Sequence, residues 1–201
     1  MTLLSNLFQP INLKSSVPKF WAWFESQSQT LFQLDTNQQA VIESLTGELK
    51  KVNEHLSFEM GPDVEGVREL IISADGFKDA IPAVQELVKQ APKLENWEVI
   101  PFRQALPLVL TVYYGNVILP PEDLWFSAEQ KGGKVDLHLY ANGYLPTKKN
   151  DYLAASFLLL DHLLGEYTVM TKMGAIDIDI LPADPPAAGL KQFGDLKAEF
   201  K

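Results

Sequence analysis

Residues Leu56 to Gly76, LSFEMGPDVEGVRELIISADG, return in shortened form at Leu124 to Gly143 as LWFSAEQKGGKVDLHLYANG. Each stretch reads as a strand, a polar turn, a second strand and then Ala-Asp-Gly or Ala-Asn-Gly, and each is followed by a helical pattern and another strand. The fold this predicts is α+β: antiparallel sheets built from two ββαβ-like repeats, covering about 54–104 and 122–181, behind an N-terminal helical hairpin. One compact domain over 1–183 is expected, with 184–201 as a linker and C-terminal tail.

Outward from the first repeat, Ser16 to Thr30 reads as a helix with Phe20, Trp23 and Phe24 on one side and Pro18 suited to its first turn. Trp21 lies off that stripe and is read as a core residue covered by another element, with ligand stacking as the alternative. Thr36 with Gln39 forms a capping box ahead of Val41, Leu45, Leu49 and Val52, a second apolar stripe at helical spacing. After the strands, Phe77, Ile81, Val84, Leu87 and Val88 recur at helical spacing, and Pro82 places the start of that helix near Asp79. Trp97 to Arg103 then returns as a strand.

Between the repeats, LVLTVYYGNVIL from Leu108 to Leu119 carries Gly115-Asn116 between apolar runs, the signal of a two-residue hairpin. In the second repeat, Gly132-Gly133 joins the strands, and a helix is expected from about Asp151 to Leu164, capped by Asn150 or Asp151 and ended by Gly165 in the left-handed conformation. Its apolar residues nearly encircle it, so it is expected to be the most buried element. Tyr167 to Leu181 reads as strand, with Ile176, Ile178 and Ile180 alternating against Asp177 and Asp179. In the terminal LKQFGDLKAEFK, Leu190, Phe193, Leu196 and Phe200 form a small apolar stripe, in a docked helix or a frayed tail.

Composition narrows the function classes. At 201 residues and 46% hydrophobic the chain can bury a substantial core. A net charge of -9 repels phosphate backbones and anionic membranes, and no Lys/Arg cluster interrupts it, so neither nucleic acid nor membrane is an expected partner. No apolar run approaches the roughly 20 residues of a membrane span, and the N-terminus lacks a signal-peptide pattern, so the cytoplasm is the expected location. The absence of cysteine removes thiolate chemistry and Cys-based metal sites. No dinucleotide fingerprint, phosphate loop or nucleophile elbow is present, and no cofactor is expected.

A few residues remain as low-specificity site candidates. Arg68 and Arg103 are the only arginines, and a guanidinium fork can hold a carboxylate or phosphate; the alternative is a structural salt bridge, with Glu59 or Glu69 for instance. His162 and Glu166 stand four apart, a spacing open to metal ligation or to a structural pair, and without a second histidine there no metal is assigned. Asp136, His138 and Tyr140 alternate onto one strand face, suited to acid–base work over a pocket or simply to a solvated sheet face. Asp177 and Asp179 fit either a carboxylate pair or a charged edge. Ligand contacts, if the chain makes them, are therefore placed on Arg68, Arg103, His138 and Glu166.

FWAWF near Phe20, LSFEMGP at Leu56, RELIISADG at Arg68, the run from Ile81-Pro82-Ala83-Val84 to Ala91-Pro92, WEVIPFR at Trp97 and LLGEYTVMTKMGAI at Leu163 together resemble an uncharacterised bacterial family described only as a domain of unknown function. The resemblance runs from the first helix to the last strand. It implies a compact cytosolic α+β protein and brings no catalytic residues; after the Phe-Arg pair, where that family carries proline or arginine, this chain has Gln104. The functional expectation is a non-enzymatic protein-binding or interaction module, with a protein partner or a second copy. The alternatives are a small-ligand binder or enzyme using a pocket between the repeat halves, and a self-associating structural protein.

Overall fold

The computed structural model describes residues 13–33 and 38–200. Thr36, and with it the expected capping box, lies outside the described residues. The chain divides into two compact units, Met1–Phe102 and Arg103–Lys201.

In the first unit, α1 (Leu13–Phe32) and α2 (Gln38–Lys50) precede a three-stranded sheet of β1 (Ser57–Met60), β2 (Arg68–Ser73) and β3 (Trp97–Pro101), ordered β1-β2-β3. The turn between β1 and β2 closes on Glu65 and Gly66, both at positive φ, with the Asp63 carboxylate accepting the Gly66 N–H at 2.8 Å. A 3-10 turn at Lys78–Ala80 leads into α3 (Ile81–Lys89), where Pro82 falls in the first turn. Phe20, Phe24, Leu45, Leu49, Leu70, Ile72, Val84 and Leu87 are all essentially fully buried. Trp21 joins that core, buried, and its indole N–H donates to the Leu87 carbonyl at 2.9 Å, so its position off the stripe is explained by α3. Pro18 stands inside α1 rather than in its first turn, because the helix already runs from Leu13 and carries the fully buried Val17.

The second unit opens with the hairpin β4 (Val112–Tyr114) and β5 (Val117–Leu119), turning on Gly115 at φ 54. Strands β6 (Leu124–Lys131) and β7 (Lys134–Ala141) follow, then α4 (Lys149–Leu164), α5 (Glu166–Lys172), β8 (Met173–Ile180) and the two-residue β9 (Lys191–Gln192), in a sheet ordered β8-β7-β6-β9. Leu124, Phe126, Leu137 and Leu139 of the sheet, Leu159, Leu160 and Leu163 of α4, and Val112, Val117 and Leu119 of the hairpin form one apolar cluster. From Asp151 to Leu164 only Phe157 is exposed. The segment is buried along most of its length, as expected, but it is not the most buried element: β2 buries four of its six residues, against seven of sixteen in α4.

The sheets are mixed where purely antiparallel ones were expected. β1 and β6 run antiparallel to β2 and β7, but β3 and β8 run parallel to them. A helical crossover carries the chain back to the end at which the previous strand began, so the next strand points the same way. A second correction concerns 166–172, read as strand from Tyr167 onward: it is the helix α5, despite the β-branched Thr168, Val169 and Thr171. Val169 and Met170 are buried there, and that burial outweighs the weak local strand preference. At the start of α4 no side-chain cap forms; a 3-10 turn at Pro146–Lys148 enters the helix ahead of Asn150. The C-terminal segment is docked, with a 3-10 helix at Phe193–Phe200 whose Phe193 and Leu196 are fully buried.

Candidate functional site

Arg103 and Glu166 are 63 residues apart and meet at the bend between α4 and α5. The Glu166 carboxylate accepts the Arg103 backbone N–H at 2.9 Å, and the Glu166 N–H donates to the Arg103 carbonyl at 2.9 Å. The Arg103 guanidinium lies 3.5 Å from the Asp161 carboxylate and 3.9 Å from that of Glu166. Leu106 continues the strap, its N–H donating to the His162 carbonyl at 2.7 Å. Asp161 and Glu166 are both buried, so two carboxylates out of water face one guanidinium. This geometry commits Arg103 to holding the 103–106 segment against the helix junction. Glu166 has Arg103 as its partner, and among the described residues no cluster of three or more His, Cys, Asp or Glu is placed to hold a metal.

Arg68 belongs to the first unit. It is buried, donates to the Gly61 carbonyl at 3.1 Å and lies over the Phe32 ring at 5.3 Å, a cation–π arrangement within the core.

His138 occupies the outer face of the β8-β7-β6 sheet, above a shallow cavity of about 470 Å³ lined by Ser127, Glu129, Asp136 and Asp177. Its Nε2 lies 2.9 Å from Asp179 and its ring stacks on Tyr140 with centroids 4.7 Å apart. The Asp136 carboxylate accepts the Ala175 N–H at 2.7 Å across a β-bulge, and a Cβ at Gly174 would fall on that carboxylate. Asp177 pairs with Lys149 at 2.5 Å. Asp136, Asp177 and Asp179 are thus engaged by protein partners, and Asp177 and Asp179 lie on the edge strand β8. The Asp177 carboxyl is held below the usual carboxylate value by the hydrogen bond from Lys149 and then by the Ile178 N–H, and the Lys149 ammonium is held above its usual value chiefly by Asp177. A depressed carboxyl contributes above its unfolded value of about 3.9 and loses that contribution as pH falls through the folded one; a raised ammonium contributes below about 10.4 and loses it as pH rises. Asp177→Asn is therefore expected to lower the melting temperature slightly and by a constant amount between about pH 5 and pH 9, with the difference from the parent closing in acid. Melting curves across pH check this, and a difference that widens in acid contradicts it.

Two surfaces stand apart from these candidates. The first is the outer side of the β4–β5 hairpin. Tyr113 and Ile118 face each other across the strands and are 73% and 63% exposed, with Leu108 and Leu110 ahead of them at 71% and 54%. The second is a groove of about 730 Å³ between α2 and the outer edge of β1. The hairpin was legible in Gly115-Asn116, but the run around it is apolar on both faces and gave no sign of which side packs. For the groove the available signal was Ile42, an apolar residue off the stripe of Val41, Leu45 and Leu49.

Comparison of the chain with protein-family models, with curated proteins and with solved structures returned no match. Among the described residues no single helix is long and apolar enough to cross a membrane.

Proposed function

We propose that this protein is a non-enzymatic protein-binding module, and that membership of the family it resembles in sequence is part of that reading. The observation that carries it is the outer face of the β4–β5 hairpin. An isolated two-stranded hairpin is marginal in water, and this one is held by Val112, Val117 and Leu119 packing into the apolar cluster with α4. Its other face is left with Tyr113 and Ile118 paired in the open beside Leu108 and Leu110. Large apolar side chains exposed to this degree are costly to keep in water, and tyrosine presents a rigid, amphipathic contact of the kind that anchors protein interfaces.

A photo-reactive amino acid at position 113, irradiated in native lysate, is expected to give a discrete adduct that disappears when Ile118→Ser is added. The same probe at Lys131, the last residue of β6, should give none. An adduct of twice the chain mass would identify a second copy as the partner. Absence of any adduct, or equal labelling from both positions, would remove the proposal. Neither substituted side chain is buried, so melting temperatures of the variants should stay close to the parent.

A further inference from the structure

We infer that the groove between α2 and β1 receives an extended peptide segment of basic character, which adds as a strand to the outer edge of β1. This site lies wholly in the first unit and is independent of the hairpin surface.

The argument starts from hydrogen-bond phase. β1 is the terminal strand of its sheet and among the described strands pairs with β2 alone. The Gly61 N–H donates to the Glu69 carbonyl at 3.0 Å, so Gly61 and Glu69 are a hydrogen-bonded pair of the antiparallel ladder. Such pairs alternate along the register, which makes Glu59 with Ile71 and Ser57 with Ser73 the others. Phe58 and Met60 are left with their backbone N–H and C=O directed away from β2. These groups face the groove.

The opposite wall is equally regular. α2 contributes Gln38, Ile42, Thr46 and Lys50, every fourth residue and hence one stripe of the helix, separate from the buried stripe of Val41, Leu45 and Leu49. One end is closed by His55, stacked on the half-exposed Phe77 ring at 4.0 Å. The arrangement, a strand edge offering alternate backbone groups beside a helix offering side chains, is the one by which peptides are bound through strand addition. Its about 730 Å³ is within the range of ligand clefts. Charge selects the sign of the occupant: the chain carries a net charge of -9, and Glu54 lines the groove. Because successive side chains of a strand point to opposite faces, the fitting segment alternates apolar residues with Lys or Arg.

The test uses a fluorescein-labelled heptapeptide of alternating valine and lysine, blocked at both ends, titrated against the full chain and followed by anisotropy. Saturable binding is expected, with none for the valine/glutamate counterpart. N-methylation of alternate residues in one phase, which removes the N–H groups pointing at β1, is expected to weaken binding by roughly tenfold or more, while methylation in the other phase is tolerated. Ile42→Lys should abolish binding without lowering the melting temperature, since the side chain it replaces is 38% exposed. Tyr113→Ser with Ile118→Ser should leave it intact, which separates failure here from failure of the hairpin proposal. Absence of saturable binding, equal loss from both methylation phases, or binding that survives Ile42→Lys overturns the inference. So does self-association of the chain that Ile42→Lys disrupts, because a second copy would then be the occupant.

Discussion

Arg103→Met is expected to destabilise the second unit by about 3–5 kcal/mol, read as a fall in the urea midpoint at neutral pH. Methionine matches the length of the arginine stem but takes away the guanidinium that stands beside both the Asp161 and Glu166 carboxylates, which are 7% and 1% exposed. The penalty comes from the two charges left out of water, more than from the attraction lost. Glu166→Gln is the informative companion. An amide oxygen can still accept the Arg103 backbone N–H, and no buried charge is orphaned, because Asp161 keeps the guanidinium; about 1 kcal/mol is expected. If Arg103→Met costs no more than the ~0–1 kcal/mol of an exposed ion pair, the cluster does not clamp the helix junction.

Gly165→Ala is expected to cost about 2 kcal/mol, for a reason of conformation more than of space. A Cβ there would sit 3.4 Å from the Ala105 nitrogen and 3.6 Å from the Arg103 carbonyl oxygen, ordinary contact distances. The backbone, however, is at φ 81 and ψ 140, a combination of positive φ with extended ψ that only glycine adopts freely. This geometry turns α4 into α5 through 109° and sets the Glu166 N–H and carboxylate against Arg103. The sequence-based expectation of a left-handed helix end at Gly165 identified the residue and its positive φ, but not the extended ψ or the second helix behind it. Gly47→Ala in α2 is the control. Nothing lies within 4 Å of its Cβ position, and there the same substitution should stabilise by about 0.5–1 kcal/mol through helix propensity. Thermal and urea unfolding of the two variants give opposite signs, or the conformational argument fails.

The α+β class and most element positions were legible because they rest on local signals. Gly132-Gly133 at φ 58 and 76 and Gly115 at φ 54 mark turns that need positive φ, and the alternation of Val135, Leu137 and Leu139 marks the buried face of β7. The candidate residues were less legible. Alternation put His138 on the outer face of its strand correctly, but Arg103, Asp161 and Glu166 became a cluster only through contacts some 60 residues apart in the chain, which no spacing rule encodes. α5 was misread because its Thr168, Val169 and Thr171 favour strand locally, while burial of Val169 and Met170 decided the outcome.

What the amino-acid order determined by itself was the alternation of strands, turns and helices, and the acidic, cysteine-free composition. Tertiary structure alone decided the parallel course of β3 and β8, the clamp at Gly165, and which apolar residues stay outside: Tyr113 and Ile118 on the hairpin and Ile42 beside β1. The division follows from range. Backbone preferences and periodicity act within a few residues, whereas orientation, ion pairing and exposure depend on which distant segment arrives to pack.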